Sequence, residues 1–331
     1  MEDLQSMTPR RGGGETALPG VGDFPLRRRM ILFAAFIVIL SACFARPLYA
    51  LWQYAVHNDF FSYIPLIPFI TLYLIWLKRS ELPRQPGVSW RWGAALAAGG
   101  AALLIGWACA AHPGWRPHKE DYLTVKTASY LLFAAAGCLV CFGSAISRVI
   151  FFPLAFLVFM VPMPSAMLNS VGLFFQQTSA VTASGMLDIC GTPVMRNDLV
   201  LLLPGDFSLV IAPECSGIHS TMVLLITAVL AGHLFLHSGW KRFLLVVIVV
   251  PLAILRNGFR IFVIAELCVH ISHEMINSPI HRRGGPVFFA LSLIPFFLAL
   301  LLLRKSEPRG TMSVKPTSGG SSPAGAAPGS S

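Results

Sequence analysis

Apolar stretches long enough to form membrane-spanning helices alternate with short polar stretches along most of this chain. The hydrocarbon core of a bilayer is about 30 Å thick, and an α-helix needs roughly 20 residues to cross it. Hydropathy predicts spans at approximately residues 30–51, 60–77, 93–111, 128–142, 149–163, 217–236, 243–263 and 286–303. The predicted fold is therefore an all-α polytopic membrane bundle with about eight transmembrane helices. Six or seven spans remain an alternative, because 128–142 and 149–163 are short and could be longer or re-entrant.

The composition agrees with this interpretation. Hydrophobic residues make up 55% of the 331 residues and charged residues only 12%, whereas soluble domains carry roughly a quarter charged residues. A water-soluble fold could not bury that much apolar surface, so the membrane is the solvent for most of the chain.

Basic residues fall in every second gap between the predicted spans. They are Arg27–Arg29, Lys78, Arg79, Arg84, Arg91, Arg148, Lys241, Arg242, Arg304 and Lys305. Because cytoplasmic loops are enriched in Lys and Arg, this alternation predicts a multi-pass protein of the inner (plasma) membrane with both termini in the cytoplasm. The net charge of +10 does not indicate a nucleic-acid partner, because the basic residues alternate with spans and form no single patch.

The two ends of the chain differ in composition from its apolar middle. Residues 1–26 are polar with several glycines and prolines, and residues 306–331 are a low-complexity stretch rich in Ser, Gly and Pro. Both ends are predicted to be disordered and cytoplasmic. The membrane domain then extends over 27–305, and the candidate reactive residues considered below lie in its part at about 164–303.

The long segment 164–216 is predicted to lie outside the cytoplasm and has two parts. Its first part has helical spacing of apolar residues, which favours a helix on the interface or packed on the bundle. Its second part holds the apolar runs Leu199–Leu203 and Phe207–Ala212, separated by the turn sequence Pro204-Gly205-Asp206. This pattern predicts a small extracytoplasmic β-hairpin that leads directly into Cys215.

Cys215 is placed at the start of the sixth predicted span. Backbone N–H groups and the helix dipole at such a position stabilise a thiolate and lower the pKa of the thiol from its ordinary value of about 8.5. Gly217 permits close backbone approach, and neighbouring N–H groups could stabilise an oxyanion. An inert buried thiol is the alternative. Glu214 could orient a histidine or repel the thiolate, and no role is assigned to it.

Two arginines lie in the apolar run of the seventh predicted span. At about 1.5 Å per residue, Arg256 and Arg260 are some 20 to 27 Å along this helix, near the predicted outer face. Arginine in such a position is costly and usually faces the bundle interior. The two share one helical face, and Asn257 lies one turn before Arg260. Arg256 is interpreted as structural or as a contact to lipid phosphate, and it could contribute to a carboxylate site, whereas Arg260 could also simply snorkel.

A histidine near Cys215 could accept the thiol proton and later protonate a leaving amine. The candidates are His219, four residues after Cys215, and His270, His273 and His281 in the predicted outer segment 264–285. The residues alone leave these alternatives open.

Three segments carry a resemblance to a known family. VIAPECSGIHS, LRNGFRI and IHRRGGPVFF resemble, in order, the motifs of the exosortase/archaeosortase family of membrane cysteine transpeptidases. The family pattern is a Cys-Ser-Gly triplet, an Asn-x-x-Arg near the end of a later helix, and a His followed four residues on by Gly. These fall on Cys215-Ser216-Gly217, Asn257 and Arg260, and His281 and Gly285. FSYIPLIPFITLYLIW and FFPLAFLVFMVPMP also resemble family segments, so that the similarity covers roughly residues 55 to 303.

The resemblance implies that this enzyme cleaves a C-terminal, PEP-CTERM-like sorting signal of exported proteins through a thioester. Cys215 would be the nucleophile, His281 the general base and acid, and Arg260 would position substrate or stabilise the oxyanion. Ser216, Gly217, Asn257 and Gly285 would support them. The implied partners are exported proteins ending in a short motif, a transmembrane helix and a basic cluster, together with membrane lipid and an unknown surface acceptor. No cofactor is implied, and no metal site is predicted, because His and Cys lack ligand spacings such as HExxH or paired CxxC.

The competing interpretation is a polytopic transporter or scaffold for exopolysaccharide or lipid-linked export. In it, Arg256 and Arg260 would bind an anionic group. A thiol-directed probe separates the two, because only the enzyme requires Cys215 to react in preference to the other cysteines.

Overall fold

The computed structural model describes residues 26–83, 89–110, 112, 117–205, 207–212, 216–272 and 285–307. Its helices are α1 Leu26–Cys43, α2 Ala45–His57, α3 Leu66–Leu77, α4 Trp90–Ala110, α5 Lys119–Val149, α6 Phe151–Phe156, α7 Ser165–Cys190, α8 Ile218–Phe235, α9 Gly239–His270 and α10 Gly285–Lys305. Short 3-10 helices lie at Asp59–Phe61, Arg79–Glu81 and Leu157–Met160. The strands are β1 Met195–Asn197, β2 Val200–Leu203 and β3 Phe207–Val210.

Five helices of the described part are long and apolar enough to cross a membrane, namely α4, α5, α8, α9 and α10. Two further pairs are long and apolar enough only when taken together across a bend, of 75° between α1 and α2 and of 84° between α7 and the short helices at Phe151–Met160. The described chain therefore has five to seven candidate spans by length and composition. A multi-pass helical membrane protein is confirmed, but the predicted count of eight spans is not.

The helix boundaries differ from the predicted spans where polar residues continue an apolar helix. Helix α5 extends over 31 residues with a break at Gly143 (φ +72°), and it begins with Lys119, Glu120 and Asp121. The predicted span 128–142 therefore starts too late but ends where the helix is broken. Acidic side chains in the first turn interact favourably with the helix dipole, which explains why the helix starts in polar sequence. Helix α9 likewise continues past residue 263 to His270. Its 32 residues extend about 48 Å at about 1.5 Å per residue, which exceeds the hydrocarbon thickness.

The predicted span 149–163 is a broken element. It consists of α6 and the 3-10 helix Leu157–Met160, followed by a sharp bend into α7. Pro162 and Pro164 lie in the bend, where their missing N–H groups and fixed φ angles prevent a continuous helix. The following helix α7 has the helical character predicted for the first part of 164–216.

The strands form a three-stranded antiparallel sheet in the order β1-β2-β3. Leu203 pairs with Phe207 and Val200 with Val210, which is the hairpin pairing predicted around Pro204-Gly205-Asp206. Strand β1 was not predicted, because the sequence Met195-Arg196-Asn197 has no apolar alternation and all three residues are exposed.

Helix α9 is the centre of the C-terminal half of the described chain, since it packs against α7, α8 and α10. The sheet is attached to α7 and α9 by one buried cluster, formed by Ala180, Ala183, Leu187, Leu201, Leu203, Leu209, Ile211, Ile261 and Ala265. Helices α7 and α9 approach each other closely at Gly258, where an added Cβ would lie 2.7 Å from the Cβ and Cγ2 of Thr182. This packing brings the sheet, the start of α8 and the arginine-bearing part of α9 together.

Candidate active site

The candidate site is built around the turn that precedes helix α8. Gly217 is the N-cap residue of α8 and has φ +68° and ψ 12°, the left-handed conformation that favours glycine. An added Cβ at this position would lie 2.9 Å from Oδ1 of Asn257 and 3.0 Å from Nη2 of Arg256. Both the backbone conformation and the available space therefore require glycine here, and the turn is in direct contact with α9.

The carbonyl oxygen of Gly217 is held by several donors. It accepts hydrogen bonds from the backbone N of Thr221 at 3.0 Å, from Oγ1 of Thr221 at 2.8 Å and from Oγ of Ser220 at 3.1 Å. Nη2 of Arg256 donates to the same oxygen at 3.0 Å and lies 3.4 Å from Oγ1 of Thr221. Because donors from two helices converge on one oxygen, the position of the turn relative to α9 is strongly fixed.

Helix α7 supplies two buried polar side chains to the same region. Nδ2 of Asn257 donates to Oγ of Ser179 at 3.0 Å, and both residues are buried. Nε2 of Gln176 donates to the carbonyl oxygen of Ile211 at 3.1 Å. The chain is thus held by α7 at Ile211, just after β3, and by α9 at Gly217, on either side of Cys215 in sequence.

We did not identify Gln176 and Ser179 as supporting residues from the sequence, although the sequence contains a signal for them. Gln176 and Ser179 are three residues apart, so they share a helical face with the buried Ala180 and Ala183. Polar residues on a small, apolar helix face indicate a polar contact made by a neighbouring element, because buried polar groups are almost always hydrogen-bonded.

Some of the predicted site residues lie within the described part of the structure, and others lie outside it. Ser216 is buried beside the turn, and Arg260 lies one helical turn beyond Arg256 on α9. Gly285 is the first residue of α10, and an added Cβ would meet nothing within 4 Å. Cys215 and His281 lie outside the described residues, as do Glu214 and His273.

Two of the alternative histidines have defined contacts. Nδ1 of His219 is 2.9 Å from the carbonyl oxygen of Phe60, so this ring nitrogen is engaged with the 3-10 helix at Asp59–Phe61. Nδ1 of His270 is 3.0 Å from Oε2 of Glu266, whose other oxygen accepts from Oγ1 of Thr192 at 2.7 Å. Glu266 thus connects the end of α9 to the segment that follows α7.

Comparison of the chain with curated proteins and with solved structures finds no match. The sequence model of the transmembrane exosortase family matches residues 52–298, which is well over half of the 331-residue chain. The matched region includes the turn before α8, the polar part of α9 and the three-stranded sheet. This chain therefore belongs to the transmembrane exosortase family.

Proposed function

We propose that this protein is a membrane cysteine transpeptidase that cleaves a PEP-CTERM-like C-terminal sorting signal from exported proteins. Membership in the exosortase family implies a membrane transpeptidase for sorting signals. The observation that carries the proposal is the contact of Gly217 with Asn257. Gly217 is the last residue of the Cys-Ser-Gly motif and Asn257 the first of the Asn-x-x-Arg motif, so their contact supports a site shared by the two motifs.

In the proposed reaction, the sulfur of Cys215 bonds to the scissile carbonyl carbon while the thiol proton passes to His281. The C–N bond then breaks, and His281 returns this proton to the leaving amine of the sorting signal. An amine of the acceptor, or water, next gives a proton to His281 and bonds to the thioester carbon. The C–S bond breaks, and the released thiolate recovers a proton from His281.

The residues around Cys215 support this chemistry by position. Cys215 lies two residues before Gly217, the N-cap residue of α8, and backbone N–H groups without intrahelical partners at a helix N-terminus favour negative charge. The same groups can stabilise the oxyanion that forms on the scissile carbonyl. Arg260 provides a further positive group one turn along α9, suited to positioning the substrate carboxylate or stabilising that oxyanion.

The sheet provides a means of aligning an extended substrate. Among the described strands, β3 pairs only with β2, so its other edge can accept backbone hydrogen bonds from a peptide in extended conformation. Strand β3 ends five residues before Cys215. A peptide added along β3 would therefore approach the nucleophile with its backbone in register, while its transmembrane helix remains in the bilayer.

The basic gaps between spans support a site on the extracytoplasmic side of the inner membrane. The substrate would be an exported protein whose signal combines a short motif, a transmembrane helix and a basic end. The competing transporter or scaffold function would use Arg256 and Arg260 to bind an anionic group.

The test is processing in cells of a tagged exported protein that carries such a signal. Wild type should convert the precursor to a shorter product, and Cys215→Ser should abolish conversion. Cys190→Ser is the matched control, because Cys190 is exposed at the end of α7 and should be dispensable. Normal conversion by Cys215→Ser would refute the catalytic proposal.

Hydroxylamine tests the thioester separately. Added to active cells, it should release the cleaved protein as a hydroxamate in place of the normal transfer product, because hydroxylamine attacks thioesters readily. Unchanged product in its presence would argue against a thioester even if Cys215 proved essential.

A further inference from the structure

We infer that Arg256 is a positioning residue for the nucleophile: it anchors the turn that follows Cys215 and supplies a fixed positive charge that stabilises the Cys215 thiolate. This inference rests on the proposed function of Cys215. It separates the roles of the two arginines of α9, since Arg256 acts through the turn and Arg260 is left to act on the substrate.

The contacts of Arg256 are with the turn. Nη2 donates to the carbonyl oxygen of Gly217 at 3.0 Å and lies 3.4 Å from Oγ1 of Thr221. Consecutive Cα atoms are about 3.8 Å apart, so covalent connectivity alone keeps the Cα of Cys215 within about 8 Å of that of Gly217. Arg256 is thus bonded to the turn two residues after Cys215, and an opposite charge near a thiol favours its ionised form.

The surroundings of Arg256 are such that a nearby anion would stabilise its charge. The residue is only 8% exposed, and it lines a cavity of about 280 Å³ whose other walls are mostly apolar side chains of α9 and α10, such as Leu255 and Phe288. Among the described residues, no carboxylate forms an ion pair with Arg256, and its Nη1 has no hydrogen-bond partner. A buried charge is costly unless it is paired.

Two neighbouring features add positive charge near Arg256 and so increase the stabilisation that a nearby anion would provide. The N-terminus of α8 carries partial positive charge from the helix dipole, and Arg260 adds a like charge one turn along α9. A negative charge at the turn would interact favourably with both positive groups. Ionisation of Cys215, the proposed nucleophile, would create such a charge.

The other groups that face this turn leave few alternatives. Helix α7 contributes the uncharged Gln176 and Ser179, and α10 contributes Ser292 beside the cavity. The titratable group of α8 nearest in sequence is His219, whose Nδ1 is engaged by Phe60. Glu214 precedes Cys215 in sequence and is the rival anion, so the experiment includes its neutral variant.

The experiment measures the pH dependence of Cys215 alkylation by iodoacetamide in the full-length protein, resolved by peptide mass spectrometry. Arg256→Met retains much of the apolar stem and removes the charge, and Arg256→Gln is a second neutral variant. Both should raise the midpoint of the profile by about one pH unit, within the range expected when a nearby opposite charge is lost. Arg256→Lys should remain near wild type.

Matched controls separate charge from geometry. Arg242→Gln removes a positive charge from the opposite end of the same helix, where Arg242 donates to Leu236 at 2.8 Å, and should leave the profile unchanged. Thr221→Val removes a hydroxyl partner of Arg256 but keeps its charge, and should shift the midpoint less than Arg256→Met. If Glu214 is instead the counterion, Arg256→Met should leave the midpoint unchanged in the wild-type background and raise it only in the Glu214→Gln background, and that result would overturn the inference.

Cys268 reports on folding in the same samples, because it is buried on α9 and should resist alkylation in any folded variant. An unshifted Cys215 profile in a neutral variant with protected Cys268 would overturn the inference. Labelling of Cys268 in both neutral variants would also overturn it, because Arg256 would then be a residue required for folding.

Processing in cells distinguishes failure of the inference for Arg256 from failure of the proposed function. Arg256→Met should process slowly at neutral pH and recover as the external pH is raised by one to two units, since the thiolate fraction is restored. Processing by Cys215→Ser would refute the proposed function whatever Arg256 does. Loss of processing in Cys215→Ser with wild-type behaviour of Arg256→Met would refute only the inference drawn for Arg256.

Discussion

The side-chain amide of Gln176 donates to the carbonyl oxygen of Ile211 at 3.1 Å, and this bond ties helix α7 to the chain four residues before Cys215. Both partners are buried. A segment that carries a nucleophile must be held on both sides if small displacements are not to slow the reaction. Gln176 provides the hold on the upstream side, as the Arg256 contact with Gly217 does downstream.

We therefore expect Gln176→Leu to slow processing of the sorting signal by roughly tenfold or more. The substitution leaves a buried carbonyl oxygen without its donor, which costs about 1–3 kcal/mol, and it frees the segment before Cys215 to move. Gln177→Leu is the matched control, because Gln177 is the neighbouring glutamine on the same helix and is exposed. Equal rates for the two variants would show that the bond to Ile211 has no role in positioning the segment.

Gly217 gives a second prediction. Gly217→Ala should abolish processing, because the left-handed conformation at φ +68° costs a non-glycine residue about 1–2 kcal/mol and its Cβ would press on Asn257 and Arg256. Gly185→Ala on α7 is the control, since an added Cβ there meets nothing within 4 Å and alanine favours a helix. Processing rate and thermal unfolding of both variants check this, and an active, stable Gly217→Ala would contradict the contact.

Much of this arrangement could be predicted from the sequence, and the parts that could are local. The hairpin followed from the Pro204-Gly205-Asp206 turn between two apolar runs, because turn residues and strand propensity act over a few positions. The placement of Asn257 and Arg260 on one face of a helix followed from helical periodicity.

The missed features are tertiary. The contacts of Gln176 with Ile211 and of Arg256 with Gly217 join residues far apart in sequence, and no local pattern specifies which carbonyl a buried donor meets. The predicted count of eight spans is not confirmed among the described residues, for a related reason. A hydropathy window responds to the apolar part of a helix, so it does not register that α5 continues into polar sequence or that a proline-containing bend breaks an apolar run near 161–164.

The contact between the residues that precede α9 and the end of α10 gives a prediction for pH dependence. Glu307 follows α10 and accepts hydrogen bonds from the backbone N of Ser238 at 3.0 Å and of His237 at 2.9 Å, where α9 begins. The bond from Ser238, followed by the contacts with His237, lowers the pKa of Glu307 from its ordinary value to about 2. Because the folded-state pKa is the lower one, this carboxylate stabilises the fold above its ordinary pKa and loses that contribution as the pH falls towards 2.

Thermal unfolding in detergent between pH 7 and pH 3 checks this expectation. Glu307→Gln should unfold at a lower temperature than wild type at pH 7, and the difference should narrow as the pH is lowered. Glu81→Gln is the control, because Glu81 forms only an exposed pair with Lys78 at 3.4 Å, and such pairs contribute little. A constant difference between Glu307→Gln and wild type across this range would contradict the role of the ionised carboxylate.

The choice of histidine gives the last prediction. His281→Ala should abolish processing, because the proposed reaction has no other group to take the Cys215 proton and pass it to the leaving amine. His219→Gln should retain activity within about tenfold of wild type, since Nδ1 of His219 is occupied by the carbonyl oxygen of Phe60, and a glutamine amide can donate to that oxygen in its place. His270→Ala should be nearly neutral, because the His270 ring is largely exposed and bound to Glu266. Processing rates of the three variants, with Cys215 alkylation as a measure of an intact site, decide among them. Inactivity of His219→Gln combined with activity of His281→Ala would reassign the base to α8 and would make the engagement of His219 with Phe60 a feature of the resting site alone.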